Sequence, residues 1–232
     1  MRIARSLLGT ALIALVTVGC GGSGSDGNAS RPADPAPPKS GKELPVAITS
    51  AEPGLLTVET LLAALPPRPT GDAAFSEQVL WTMRKNTVAM AGVPGRTSAA
   101  CDGGTVSEEP GVTTRCTVTY NGLKVPWSIR FDEPAGDLKP YEITNAGQAV
   151  LTAKSVYGEF WRKYHRASKH LRCGKVPDLE LVAYGQDTGH RCQYASSVDG
   201  KPRWVNVSVS VGERGVIFGN GRSPESHGRT AD

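Results

Sequence analysis

The sequence predicts an α+β fold made of two related small modules, each a helix packed on an antiparallel sheet and closed by one disulfide. Three features predict it. Four of the five cysteines fall into two local pairs, Cys101/Cys116 and Cys173/Cys192. An amphipathic helical stretch precedes each pair. A hairpin dipeptide follows each, Asn121-Gly122 and then Asp199-Gly200, leading into an alternating apolar strand.

In the first copy, which opens near Asp72, Phe75, Val79, Leu80, Met83 and Met90 fall near one face of a helix. Asp72 after Gly71 reads as its N-cap, and Gly92-Val93-Pro94 as its stop. Beyond Arg115-Cys116 and the Asn-Gly turn, Trp127, Ile129 and Phe131 alternate with Ser128 and Arg130. The second copy opens near Gln148. Tyr157, Phe160, Trp161, Tyr164 and Leu171 share one helical arc, and Arg191-Cys192 and the Asp-Gly turn follow. Trp204 then leads Val205, Val207, Val209 and Val211, which alternate with polar residues. Asn-Gly and Asp-Gly suit type I′ turns because these residues tolerate positive φ. This shared order predicts a duplication. Residues 45–70, with Leu55, Leu56, Leu61, Leu62 and Leu65, read as an extra helix on the first module.

Four cysteines allow three connectivities. Pairing within each copy is preferred because it joins a helix exit to the first strand of a hairpin. A module of about 75 residues has a marginal core, and a loop of about 15 to 20 residues closed by a disulfide contributes about 3 kcal/mol. Zinc is the alternative, since His170, Cys173, His190 and Cys192 could supply four ligands. Against it, the first copy has no histidine and an exported chain meets oxidising conditions.

Residues 1–19 read as a lipoprotein signal peptide. Arg2 and Arg5 form a charged start, Leu7 to Val18 a short apolar run, and Gly19 precedes Cys20, the lipidation site. The stretch resembles the bacterial lipobox, with Thr17 where leucine is usual; an ordinary cleaved signal is the alternative. Residues 20–44 then form a lipidated Cys and a disordered tether rich in Gly, Ser and Pro. The first module is expected over 45–140, the second over 141–219, and a disordered tail over 220–232. This organisation places the protein on the extracytoplasmic face of the cell membrane. Removing Arg2 and Arg5 with the signal leaves 24 of the 26 basic residues against 22 acidic ones. So balanced a charge argues against nucleic acid as a partner.

No hydrolase, phosphate-loop, zinc-protease or dinucleotide motif occurs. Only His165 and His190 are candidate bases, and no nucleophile is marked near either. The expectation is a non-catalytic binding role, with no cofactor and no metal; an uncharacterised envelope hydrolase is an alternative. The second helix is basic: Lys154, Arg162, Lys163, Arg166, Lys169, Arg172 and Lys175 face only Glu159. Arg162, Arg166 and Lys169 are expected opposite Tyr157 and Trp161. They read either as a solvated face or as a contact for an anionic polymer or lipid headgroups. Tyr120, Trp127, Trp161 and Trp204 are candidate contact aromatics, with Trp127 and Trp204 read rather as core.

The run from Phe75 to Pro134 resembles a small domain family of unknown function found in exported and lipid-anchored proteins of high-GC Gram-positive bacteria. Cys101, Gly111, Cys116, Thr117, Val118 and Gly122 stand at its motif positions. The second copy departs from it with a longer inter-cysteine loop and Gln193-Tyr194 in place of Thr117-Val118. The resemblance implies a secreted α+β module with one disulfide and no catalytic residue. The tandem arrangement also resembles the secreted β-lactamase inhibitor proteins, although their helix-start motif is absent here. That resemblance implies a protein-binding surface made of two sheets, and an envelope protein as a possible partner.

Overall fold

The structure, a computed structural model, describes residues 37–39, 41–134, 136 and 139–220. The signal peptide, Cys20, most of the expected tether and nearly all of the tail lie outside the described residues. The described part is α+β, with three antiparallel sheets and few helices. In chain order come β1 (Val46–Ala47), α1 (Val58–Ala63), α2 (Phe75–Ala91), β2 (Thr97–Cys101), β3 (Thr113–Tyr120), β4 (Leu123–Phe131) and β5 (Tyr141–Thr144). Then follow β6 (Gln148–Leu151), α3 (Ala153–Tyr164), β7 (Leu171–Cys173), β8 (Glu180–Ala183), β9 (Asp187–Val198), β10 (Lys201–Gly212) and β11 (Gly215–Asn220). One sheet has the order β2-β3-β4-β5, a second β1-β7-β9-β10-β11, and β6 pairs with β8 in a third.

Both hairpins turn where the sequence places them. Asn121 and Gly122 have φ of 47° and 90°, Asp199 and Gly200 of 53° and 72°, as a type I′ turn requires. Along β4, Val125, Trp127, Ile129 and Phe131 are buried. Val207, Val209 and Val211 of β10 are buried likewise. These faces and α2 share one core, because α2 packs on β2, β3, β6 and β11. The first long helix therefore touches both large sheets.

Two helix boundaries differ from expectation. Asp72 is not the N-cap of α2. That position belongs to Ala74, which makes no side-chain bond, while the Thr70 hydroxyl and its own backbone N–H hold the Asp72 carboxyl below its usual range. At the other end Gly92 caps in the left-handed region, as its place after the apolar run predicts. The second correction is Leu171. Helix α3 begins at Thr152, whose hydroxyl accepts from Ser155 N, and ends at Tyr164. Ser168 then folds the chain back, its N–H on Tyr164 O and its Oγ accepting from His170 N. Leu171 is buried as the first residue of β7, not as part of the helical arc.

Each disulfide ties two strands at directly opposed positions. Cys101–Cys116 bridges β2 and β3, and Cys173–Cys192 bridges β7 and β9. The zinc alternative is overturned, since the sulfurs of Cys173 and Cys192 are bonded to each other. The two tryptophans are not equivalent. Cys116 lies opposite Trp127, but Cys192 lies opposite Val207 and Trp204 opposite Ala195. Side chains alternate faces along a strand, so Trp204 stands on the face away from Val207. Trp127 is buried, and its indole N–H donates to Thr87 Oγ1 at 3.1 Å.

Tyr120 closes the first hairpin. It is fully buried, its hydroxyl donates to Val93 O at 2.9 Å, and burial pushes its pKa up to about 12. Folding therefore favours the protonated phenol. Its stabilisation is complete below pH 10, the usual value, and is lost as pH rises toward 12. Alkaline titrations should show stability falling by up to about 1.4 kcal/mol per pH unit between 10 and 12. Tyr120→Phe should flatten that limb while costing about 1 kcal/mol at pH 7. An alkaline limb of equal slope in the variant would assign the loss to other groups.

Residues 43 and 44, expected in the tether, lie against the five-stranded sheet. Arg172 Nε donates to Leu44 O and Arg172 Nη1 pairs with Glu43 at 3.3 Å. Val46 and Ala47 then pair with β7, so this short strand joins the sheet of the second cysteine pair although the sequence places it at the head of the first module. Of residues 45–70 only Val58–Ala63 form a helix, α1, closed at its start by a capping box between Thr57 and Thr60, and Leu55, Leu56 and Leu65 lie outside it.

Candidate functional site

Two cavities meet beside the last turn of α2. The first, of about 480 Å³, has Met90, Trp127, Ile143 and Tyr184 among its walls, and Lys85, Glu142 and Glu213 as charged lining residues. The second, of about 420 Å³, is walled by Leu56, Val58, Leu61 and Val216, with Glu159 and Arg162 among its charged residues. Ala89 and Arg214 belong to both. The cavities adjoin at these two residues as two chambers, with Arg214 at the waist between them.

Local sequence builds this waist. The β10–β11 turn carries Glu213 and Arg214, and Gly215 follows with φ of 99°. A Cβ at Gly215 would sit 3.3 Å from Ala89 O, so glycine lets β11 start tight against α2. The wall of the second chamber is set by α1. Leu56 N donates to Gly92 O at 2.9 Å, and the capping box turns the helix so that Leu61 and Leu65 pack inward. Val58, which lines the second chamber, is left 85% exposed and Leu62 59%. The second cavity is mainly apolar and the first more polar, and both volumes fall in the range of small-ligand sites.

The cleft offers contacts and charges, and in its second chamber the Thr57 hydroxyl donates to the Glu59 carboxylate and holds it below its usual range, while the same oxygen accepts from Thr60 N as the cap of α1. Ser155 lines the same chamber, yet it is fully buried and its hydroxyl donates to Thr152 O at 2.9 Å. Neither candidate base is near. His165 stacks on Trp161 with centroids 3.9 Å apart, and its Nδ1 lies 2.8 Å from Trp161 O. His190 pairs through Nε2 with Glu180 across β8 and β9. Among the described residues, no three His, Cys, Asp or Glu side chains are gathered to hold a metal ion.

The basic residues do not form one helical face. Only Arg162 of the expected three lies on α3, where it pairs with Glu159 at 2.6 Å and borders the second chamber. Arg166 is exposed in the turn that follows. Lys169 lies beyond it, lining a separate pocket of about 280 Å³ with His170, Arg172 and Trp204. Lys163 reaches Phe218 O and covers the rings of Tyr164 and Phe218. Of the candidate contact aromatics, Tyr120 and Trp127 are core, Trp161 is half-buried and Trp204 half-buried on the outer sheet face.

Sequence reasoning missed Tyr184 and the Glu213-Arg214 turn. The signal for the turn was present in Gly212-Glu213-Arg214-Gly215 between apolar Val211 and Val216, which reads as a third hairpin. Two disulfides fit an oxidising, extracytoplasmic compartment, and no described helix is long and apolar enough to cross a membrane. Compared with known proteins, the chain matches no family model, no curated protein and no solved structure.

Proposed function

We propose that the chain is a lipid-anchored cell-envelope protein with a non-catalytic binding role, and that the cleft around Arg214 is where it takes its ligand. One observation carries the reading: two preformed cavities of about 480 and 420 Å³ adjoin at Ala89 and Arg214 and are lined by both apolar and charged side chains. Cys20 is the lipid-bearing residue in this reading, supported by the charged start, the short apolar run and Gly19. The body then consists of two sibling modules. Support comes from the opposed-strand cystines, each with an arginine before its second cysteine, and from the matching I′ turns.

The test has two arms. Cys20→Ala should release the protein from the membrane fraction, while the wild type carries the mass of a diacylglyceryl cysteine. Protein purified from its native envelope should retain a bound small molecule by native mass spectrometry. Ala89→Trp, which fills the waist, should lower that occupancy at least tenfold. Equal occupancy in wild type and variant would refute the cleft assignment, and a soluble wild type would refute the anchor.

A second reading, a protein inhibitor, is favoured by the outer face of the four-stranded sheet. Cross-strand rows there set Ser98, Thr119 and Lys124 side by side, and Arg115, Ser128 and Thr144 likewise. Inhibition of a serine β-lactamase at micromolar or lower concentration would promote it over the cleft.

A further inference from the structure

The outer face of the five-stranded sheet is already occupied by the protein's own chain. One cross-strand row there is Ala47, Arg172, Gln193 and Asn206. Trp204, two residues before Asn206, is the diagonal neighbour of Gln193 on the same face. Pro38, Gly41 and residues 43–45 lie against this face. Pro38 is buried, and a Cβ at Gly41 would sit 3.4 Å from Trp204 Cδ1. Arg172 gathers three acceptors from residues 43–45: the Glu43 carboxylate at 3.3 Å, the Leu44 carbonyl, and the Pro45 carbonyl at 3.4 Å.

The cover is incomplete in a specific way. Trp204 Nε1 and Gln193 Nε2 are buried donors without an acceptor, and Gln193 is only 1% exposed. Buried N–H groups are normally paired, so each unmet donor weakens this arrangement relative to one that supplies an oxygen. A cavity of about 280 Å³ also remains beside Trp204, Lys169, His170 and Arg172.

We propose that this face is a second recognition site, for an extended segment of a partner polypeptide carrying a carboxylate, and that residues 41–45 are its internal stand-in. The stand-in shows the chemistry of the occupant. A carboxylate and two consecutive carbonyls engage one guanidinium, which fits an acidic residue within an extended run of backbone. A partner segment that repeats these contacts and adds oxygens over Trp204 and Gln193 makes bonds that the internal segment leaves unmade. The bonded strands β7 and β9 hold Arg172 and Gln193 in register whichever segment lies above them. This site is separate from the cleft and does not depend on it.

The test uses the mature chain, labelled with ¹⁵N, and a synthetic peptide of residues 37–46 as the probe. Because the internal segment competes at high effective concentration, the informative host is the Glu43→Gln chain. The peptide should bind that host at least tenfold tighter than the wild type and shift the Trp204 indole N–H signal, assigned through Trp204→Phe. A peptide with Gln in place of Glu43 should bind at least tenfold more weakly. Arg172→Gln should abolish binding. Should that variant misfold, Arg172→Lys in the Glu43→Gln host keeps the charge but removes the planar fork that reaches the carboxylate and the two carbonyls, and should lower affinity at least threefold. The proposal is overturned if the peptide leaves the Trp204 signal unmoved in both hosts, or if folded Arg172→Gln binds it equally. It is also overturned if vesicles of anionic phosphatidylglycerol move that signal while the peptide does not.

Discussion

Replacing Cys173 and Cys192 together by alanine should lower the stability of the folded body by about 3 kcal/mol, through one transition that moves as a whole. The magnitude follows from a sequence separation of 19 residues. Closing such a loop in the unfolded chain removes entropy equivalent to about 3 kcal/mol at 25 °C. For a folded body of this size, that is a fall in Tm of about 6 to 12 °C. The corresponding Cys101/Cys116 pair, with a separation of 15, should cost nearly the same. The single transition is the more discriminating expectation. Two independent modules would show the missing disulfide in one melting step and leave the other in place. Here α2, which lies in sequence with the first cysteine pair, also packs on β11 of the second sheet. In the other direction β1 supplies an edge to β7. Loosening either half therefore removes a packing surface from the other. Calorimetry of the two double variants decides the matter, and a variant that splits into two peaks would show the halves to be uncoupled.

Local chemistry made much of this fold legible. Asn121-Gly122 and Asp199-Gly200 force their turns because few other pairs accept two consecutive positive φ angles, so both hairpins could be placed without tertiary knowledge. The same holds for Gly92, whose left-handed conformation ends α2. Features set by long-range contact were not legible. Nothing in Val46-Ala47 announces pairing with residues more than 120 positions away. The end of α3 carries neither glycine nor proline. It depends on Ser168, whose backbone and hydroxyl bonds reverse the chain, and Leu171 happens to continue the helical arc from its place on a strand. Trp127 and Trp204 looked equivalent because both follow a turn. A turn offset of five residues in one hairpin and four in the other puts them on opposite faces. The cleft was hidden for a related reason. Its walls come from α1, α2, α3, β4, β5 and β11, and only the folded chain brings Ala89 beside Arg214. Of the three basic residues expected on α3, Arg162 lies on it while Arg166 and Lys169 fall beyond it, because a periodicity argument continues a helix past its true end.

Phe160→Ala should be the most damaging single substitution on α3, lowering stability by about 3 to 5 kcal/mol. Phe160 is fully buried, with its ring 4.8 Å from Tyr164 and 5.3 Å from Phe218. Truncation would leave a void between the helix and β11, which the disulfide-linked sheet beneath has little freedom to fill. Trp161 occupies the neighbouring position and reads from sequence as an equal member of the apolar arc. It should behave differently, because it is only half-buried at the edge of the core and its outer ring face stacks on His165. Trp161→Ala should cost less than half as much, despite removing the larger side chain. Urea unfolding of the two variants measures both values on the same scale. Equal losses would mean that Trp161 belongs to the core, whereas a small loss at Phe160 would mean that α3 is not held to β11 by this ring cluster.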